Sequence, residues 1–238
     1  MGNSDFMNCF LIIPASGSGS RMKASMPKQY LRLENGLSIL DQSLKTLLKI
    51  DEIIGCVVAI PQDDEHFQAS VYQKHGKMLA IAEGGQERFH SVLNALNTLS
   101  EFANENDWVL VHDAVRPCIK ASDVDSLINE LKDGNDGGIL ATPVVDTLKL
   151  ADTNEVLSTV DREGLFQAQT PQMFKFGVLV KALERAVNNN IHITDEAEAV
   201  AHLGVKVKIV IGSKDNIKIT VAEDLHLANY YISNNDEN

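Results

Sequence analysis

Cys9-Phe10-Leu11-Ile12-Ile13 runs directly into Pro14-Ala15-Ser16-Gly17-Ser18-Gly19-Ser20-Arg21-Met22, and Pro27-Lys28-Gln29 follows shortly after. An apolar run that stops at a loop of small residues reads as a buried strand followed by a turn able to hold phosphate. Glycines and serines let backbone N–H groups face oxygens with little side chain in the way. Arg21 and Lys28 add full positive charge where phosphate charge would gather. Taken alone, such a loop also suits an ordinary flexible strand-to-helix connection. It is neither of two familiar phosphate loops. A Walker A loop requires Gly-Lys-Ser/Thr where Ser20-Arg21 follows Gly19, and a dinucleotide fingerprint requires glycine where Met22 stands.

Outward from this stretch, strand-like and helix-like segments alternate up to Thr142, the pattern of a largely parallel sheet covered by helices. Strands are expected at Ile53 to Ile60, Met78 to Ala82, Trp108 to Val111, Ile139 to Thr142 and Val205 to Ile211. Apolar stripes mark helices at Leu40 to Leu48, Val92 to Leu99, Val124 to Leu131, Val178 to Val187 and Leu225 to Ile232. Asp64 to Gly76 reads as a further helix, Gly134 to Gly138 as a turn, and Ser233 to Asn238 as a polar frayed end. Ser122 or Asp123 is placed to cap the Val124 helix, and Thr194 to cap a short helix starting at Asp195. Residues 144–160 break the alternation with two short β-like stretches around Ala151-Asp152-Thr153-Asn154, a hairpin with too few large apolar residues to fold alone. No linker or repeat divides the chain, so a single domain spanning 1–238 is expected.

The 238 residues are 44% hydrophobic and carry a net charge of −12. That balance argues against nucleic acid, whose binders need a basic stripe. Apolar runs are far shorter than the roughly 20 residues that span a bilayer, and the N-terminus has no signal-like core, so a cytoplasmic protein is expected. Cys9, Cys56 and Cys118 are odd in number and widely spaced, which reads as reduced thiols rather than disulfides or zinc ligands.

Further blocks stand at Gly84-Gly85-Gln86-Glu87-Arg88-Phe89-His90-Ser91-Val92, His112-Asp113-Ala114-Val115-Arg116-Pro117, Asp146-Thr147 and Val160-Asp161-Arg162. Gln169-Thr170-Pro171-Gln172, Thr194-Asp195-Glu196 and Asp215-Asn216-Ile217-Lys218-Ile219-Thr220 complete the set. With these blocks in this order the chain resembles the nucleoside-diphospho-sugar pyrophosphorylase superfamily. More narrowly, it resembles the bacterial 2-C-methyl-D-erythritol 4-phosphate cytidylyltransferases of non-mevalonate isoprenoid synthesis. The resemblance implies an α/β fold, a Rossmann-like mostly parallel sheet with helices on both faces, plus a protruding β-hairpin arm exchanged within a homodimer. It implies cytidylyl transfer from CTP to a polyol phosphate with magnesium. A hairpin packed on its own chain remains the alternative for the arm. A ribitol-5-phosphate cytidylyltransferase and a non-catalytic nucleotide-binding regulator remain alternatives for the function.

Carried over from the family, Arg21, Lys28, Arg162 and Lys218 are the expected catalytic cations. Ala15, Ser16, Gly17, Gly19, Gly84, Gly85, Arg88, Ser91 and Asp113 are expected to bind CTP, with Gly84, Gly85 and Ser91 at the base and Arg88 at the nucleotide or supporting its loop. Thr147, Arg162, Thr170, Thr194 and Lys218 are expected at the acceptor, and Asp113 and Asp215 at the metal. The residues themselves admit plainer roles: Asp113 as a turn-capping aspartate, Arg116 as its loop's ion-pair partner, Gly84-Gly85 as a helix-entry turn, and Asp215 as the partner of Lys214. His112 reads as a structural histidine, because an attacking phosphate needs no proton shuttle.

Overall fold

Successive side chains of strand β1 (Cys9–Pro14) enter two different cores: Cys9, Leu11 and Ile13 one, Phe10 and Ile12 the other. The strand is apolar without interruption because both of its faces are covered. α1 (Ile39–Leu47) and α3 (Ala121–Leu131) pack on the first face. α2 (Arg88–Leu99), α4 (Phe176–Asn188) and α5 (Glu196–Ala201) pack on the second. α6 (Glu223–Asn235) places Ala228 and Ile232 in a smaller cluster with Leu33, Ile39, Val115, Cys118 and Ile219. The computed structural model describes residues 8–17, 26–132 and 134–235. Arg21, Gly19, Ser18 and Ser20 of the first loop lie outside the described residues. No helix among those described is long and apolar enough to cross a membrane.

The remaining strands are β2 (Ile53–Ile60), β3 (Met78–Glu83), β4 (Trp108–Val111), β5 (Gly137–Pro143), β6 (Leu148–Asp152), β7 (Glu155–Val160), β8 (Phe166–Lys175) and β9 (Lys208–Ile211). Seven of the nine form one sheet in the order β3-β2-β1-β4-β8-β5-β9, and β6 and β7 pair antiparallel in a sheet of their own. The fold is therefore an α/β mostly parallel sheet with helices on both faces and a separate hairpin. From β1 the chain runs outward through β2 to β3, and returns to add β4 on β1's other side. Strand order reverses there, so the carboxyl ends of β1 and β4 border a crevice.

Several elements differ from the sequence reading. β8 was not expected and is the one antiparallel member of the large sheet, wedged between β4 and β5. Its central Gln-Thr-Pro-Gln argues against an interior strand, but the β5 ladder skips from Gln172 to Ala168, so Pro171 falls in the irregular stretch. Asp64 to Gly76 contains only a 3-10 turn over Phe67–Ala69. The Ser70 hydroxyl accepts from Tyr72 N–H and bonds out to Asp41, which offers the backbone an alternative to helix. α3 is not capped by Ser122 or Asp123; Lys120 stands at its N-cap, and Asp123 instead accepts from the backbone and hydroxyl of Ser213, both at 3.0 Å. Asp195, not Thr194, caps α5 by accepting from Glu198 N–H at 2.9 Å. α6 continues to Asn235, past the expected frayed start at Ser233.

Gly137 and Gly138 lie inside β5 rather than in the expected turn. Gly137 is directly opposite Phe174 of β8, and a Cβ on Gly137 would overlap that ring. Phe174 is fully buried and cannot swing outward. Gly137→Ala should therefore cost about 1–3 kcal/mol through overpacking. A lowered urea midpoint at unchanged slope would register this; an unchanged midpoint would show that β5 and β8 are looser here.

Candidate active site

At the carboxyl edge of β1 and β4 lies a cleft of about 600 Å³. Pro14 to Gly17 form one wall, Gly85 to Arg88 a second, and Asp113 to Val115 the floor, while Lys28, Lys218 and Thr220 close it from the side. Three segments far apart in sequence thus converge because parallel strands end together and each leads into a loop at the same edge.

The two glycine-bearing loops are in direct contact. Ser16 Oγ lies 2.7 Å from Ser91 Oγ, and Ser91 Oγ accepts from Gly85 N–H at 2.9 Å. A Cβ on Gly84 would collide with Ser16, so the bare backbone there is what lets the loops meet, and a Cβ on Gly85 would collide with His90 at the start of its own helix. Ser91 is fully buried and holds Gly85, while the Gly85 backbone lines the cleft. Gln29, which sequence reasoning passed over, is buried and donates from Nε2 to the Ala15 carbonyl at 2.6 Å, tying the first loop down. Lys28 Nζ donates to the Ile219 carbonyl at 3.0 Å, which brings it beside Lys218 and Thr220.

Asp113 is the electrostatic centre. Its Oδ1 accepts from Arg88 Nε at 2.8 Å, and its Oδ2 lies 2.9 Å from Lys218 Nζ and 3.6 Å from Arg116 Nε. Burial alone would raise its pKa, but the charges of Arg88, Lys218 and Arg116 outweigh burial and hold it well below the usual carboxylate range. Arg88 in turn reaches Glu196 Oε1 with NH1 at 2.6 Å. Burial opposes the Arg88 charge, yet Glu196 and Asp113 together raise its pKa.

A neutral network holds the other end of Asp113. Thr170 Oγ1 accepts from Asp113 N–H at 3.0 Å and lies 3.1 Å from His112 Nδ1. Nε2 faces the Arg116 carbonyl at 3.1 Å, which can only accept, so in the neutral ring the proton sits on Nε2 and Nδ1 accepts from the Thr170 hydroxyl. Burial lowers the His112 pKa to about 4, against the opposing pull of Asp113, so the ring is neutral near pH 7. Asn216, fully buried, donates from Nδ2 to the Thr170 carbonyl and accepts Arg116 NH1 on its own carbonyl.

Of the expected site residues, Ala15, Ser16, Gly17, Lys28, Gly85, Arg88, Asp113 and Lys218 line the cleft. Gly84 and Ser91 lie immediately behind that wall. Thr170 is buried beneath Asp113 rather than open to a ligand. Thr194 is exposed at the start of α5, where its hydroxyl donates to Glu198 Oε2. Thr147 and Arg162 sit on the exposed hairpin and its base, outside this chain's cleft, with Arg162 NH1 donating to the Val145 carbonyl. Asp215, expected beside Asp113 at a metal, points elsewhere: Lys120 Nζ, not Lys214, pairs with it at 2.6 Å, and it does not line the cleft. No group of three metal-ligating side chains occurs among the described residues. Magnesium commonly takes one or two carboxylates plus substrate phosphates, and the carboxylates lining the cleft among the described residues are Asp113 and Glu87.

Residues 9–234 match the family described as 2-C-methyl-D-erythritol 4-phosphate cytidylyltransferase, IspD. The chain belongs to this family. A family protein of Ruthia magnifica subsp. Calyptogena magnifica is 54% identical over 230 residues, covering 94% of this chain and 96% of its own. One from Vibrio vulnificus is 46% identical over 223 residues, covering 93% of each. The crystal structure of the Francisella tularensis IspD enzyme superposes with a TM-score of 0.83 at 38% identity, covering 94% of this chain and 99% of that one. For this family member, then, the cleft at the β1 and β4 ends brings residues of the loop after β1, of Gly84-Gly85-Gln86-Glu87-Arg88, of the Asp113 block and of the Lys218 block to one surface that includes Lys28, Arg88 and Lys218.

A folded His112 pKa near 4 against an unfolded value near 6.5 means that the unfolded chain takes up the proton first as pH falls. His112 should therefore withdraw about 3 kcal/mol of stability between about pH 6.5 and 4. Urea unfolding across that window would measure the loss, and His112→Gln should flatten the curve there. An equally steep curve in the variant would exclude His112 as its source.

Proposed function

We propose that the chain transfers the cytidylyl group of CTP to 2-C-methyl-D-erythritol 4-phosphate, giving 4-diphosphocytidyl-2-C-methyl-D-erythritol and pyrophosphate, as a single nucleotidyltransferase domain. The observation that carries this reading is the family match across residues 9–234 coinciding with a cation-lined cleft at the switch point of the sheet. The reaction is an in-line displacement: an acceptor phosphate oxygen attacks the α-phosphorus, and the bond to the β-phosphate oxygen breaks. The nucleophile is already anionic, so the protein's task is positioning and charge stabilisation. Backbone groups at Ala15, Ser16 and Gly85, held by Ser91 and Gln29, present fixed donors and acceptors to the base and the phosphates. Lys28, with Arg21, stabilises charge on the α-phosphate and the leaving pyrophosphate. Lys218, turned by Asp113, meets the acceptor phosphate. Asp113 would supply a carboxylate to hold magnesium, whose positive charge would offset charge developing on the phosphates. The free, buried Cys9, Cys56 and Cys118 suit a reducing cytoplasm.

Pyrophosphate release from CTP, with the methylerythritol and ribitol phosphates offered separately, tests the reaction; equal use of ribitol 5-phosphate would move the assignment to the sister activity. Lys28→Met should lower kcat by roughly 10²–10³ with little change in CTP affinity, as expected for a contact that strengthens in the transition state. A near-normal kcat would remove Lys28 from the mechanism.

We propose further that the β6–β7 arm is exchanged in a homodimer and delivers Thr147 and Arg162 to the partner's acceptor site. Leu150, Val156 and Leu157 on the arm are each more than half exposed, at 54%, 62% and 63%. Apolar residues clustered on a two-stranded arm need a surface to cover them. Arg162→Gln should raise the acceptor KM and spare that of CTP. Mixing Arg162→Gln with Lys28→Met chains under proven subunit exchange should restore part of the activity, because one site of the mixed dimer draws both intact residues. No recovery would assign Arg162 to its own chain's cleft.

A further inference from the structure

We infer that Glu196 is a positioning residue for the transfer reaction: through Arg88 it sets the orientation of the Asp113 carboxylate that Lys218 and Arg116 share. The inference rests on the cytidylyl transfer proposed for this cleft. Glu196 is fully buried in the first turn of α5. Its Oε1 takes Arg88 NH1 at 2.6 Å, and its Oε2 has no hydrogen-bond partner among the described residues. A buried carboxylate with half of its acceptor capacity unmet is costly, and apolar groups of similar volume often replace buried ion pairs without loss of stability. Stability alone therefore accounts poorly for a charge at this position.

Geometry supplies a reason. The Arg88 guanidinium is a planar fork, with Nε on Asp113 and NH1 on Glu196. Held at two points, it cannot turn about its own axis, so Asp113 Oδ1 is fixed and Oδ2 is directed to Lys218 and Arg116. Gln172 of β8 secures α5 in turn, accepting Ala197 N–H at 2.9 Å and donating to Asp195 Oδ2 at 2.9 Å. The chain Glu196–Arg88–Asp113–Lys218 thus joins the loop carrying Gly85 to the cation assigned to the acceptor. Charge enters as well. Arg88, Arg116 and Lys218 all pair with Asp113, and Arg88 alone pairs with Glu196 as well, so without Glu196 these three cations would be left with one paired carboxylate.

Glu196→Gln keeps the shape and an acceptor for Arg88 but removes the charge. With the cluster one unit more positive, anionic substrates should bind no more weakly, so the KM values for CTP and for the polyol phosphate should stay level or fall. Because the tether on Asp113 is loosened, kcat should fall by roughly 10 to 100-fold. A merely structural role predicts no such split. A folded Glu196→Gln with unchanged kcat, or with both KM values raised, overturns the inference. Should that variant fail to give a cooperative melt, Arg88→Met/Glu196→Met removes the buried pair while keeping apolar volume, and a wild-type kcat there overturns it equally. Failure of the unaltered protein to release pyrophosphate from CTP with the polyol phosphate overturns the transfer reading, a result distinct from failure of the variants alone.

Discussion

The Asp113 carboxylate, held by Arg88, Lys218 and Arg116 at the end of β4, is the interaction on which the cleft depends. Each of those cations comes from a different segment, and none has another carboxylate on which all three could converge. Buried ion pairs gain little over apolar packing, but losing one partner is expensive. The cluster is therefore better understood as a device for orientation. It joins the start of α2, the loop after β4 and the segment before α6, three pieces that the sheet alone would leave independent.

Neutral contacts complete that orientation. Thr170 holds the Asp113 backbone and meets the His112 ring, Asn216 holds Thr170 and Arg116, and Ser91 locks Ser16 to Gly85. A fully buried imidazole stays neutral here because burial outweighs its acidic neighbour, so the network survives as hydrogen bonding rather than charge. Positive charge thereby remains on the side chains that face the cleft. This resolves the apparent conflict between a net charge of −12 and polyanionic substrates: Lys28, Arg88 and Lys218 are brought together at one cleft on the edge of the sheet.

The hairpin stands apart from this economy. Nearly every residue of β6 and β7 is exposed, including branched apolar ones, while Val144 N–H bonds the Leu165 carbonyl at the base. A ribbon of this kind is tethered at its base but not covered by the rest of the described chain.

Much of this was legible in the chain. The unbroken apolar runs of β1, β2 and β4 and the amphipathic stripes of α1 to α4 are local signals set by covered sheet faces, and they pointed to a helix-covered, mostly parallel sheet. The small-residue loop, Lys28, Gly84-Gly85, Asp113 and Lys218 were each visible as blocks, and the family resemblance ordered them. Tertiary structure decided what periodicity cannot encode. β8, with proline and glutamines at its centre, is a strand because β4 and β5 pair with its ends. Asp215 turns to Lys120, and Glu196 reaches Arg88 across 108 positions of sequence. Which carboxylate meets which cation depends on where the strand ends and helix starts are brought together in space, and no local pattern carries that information.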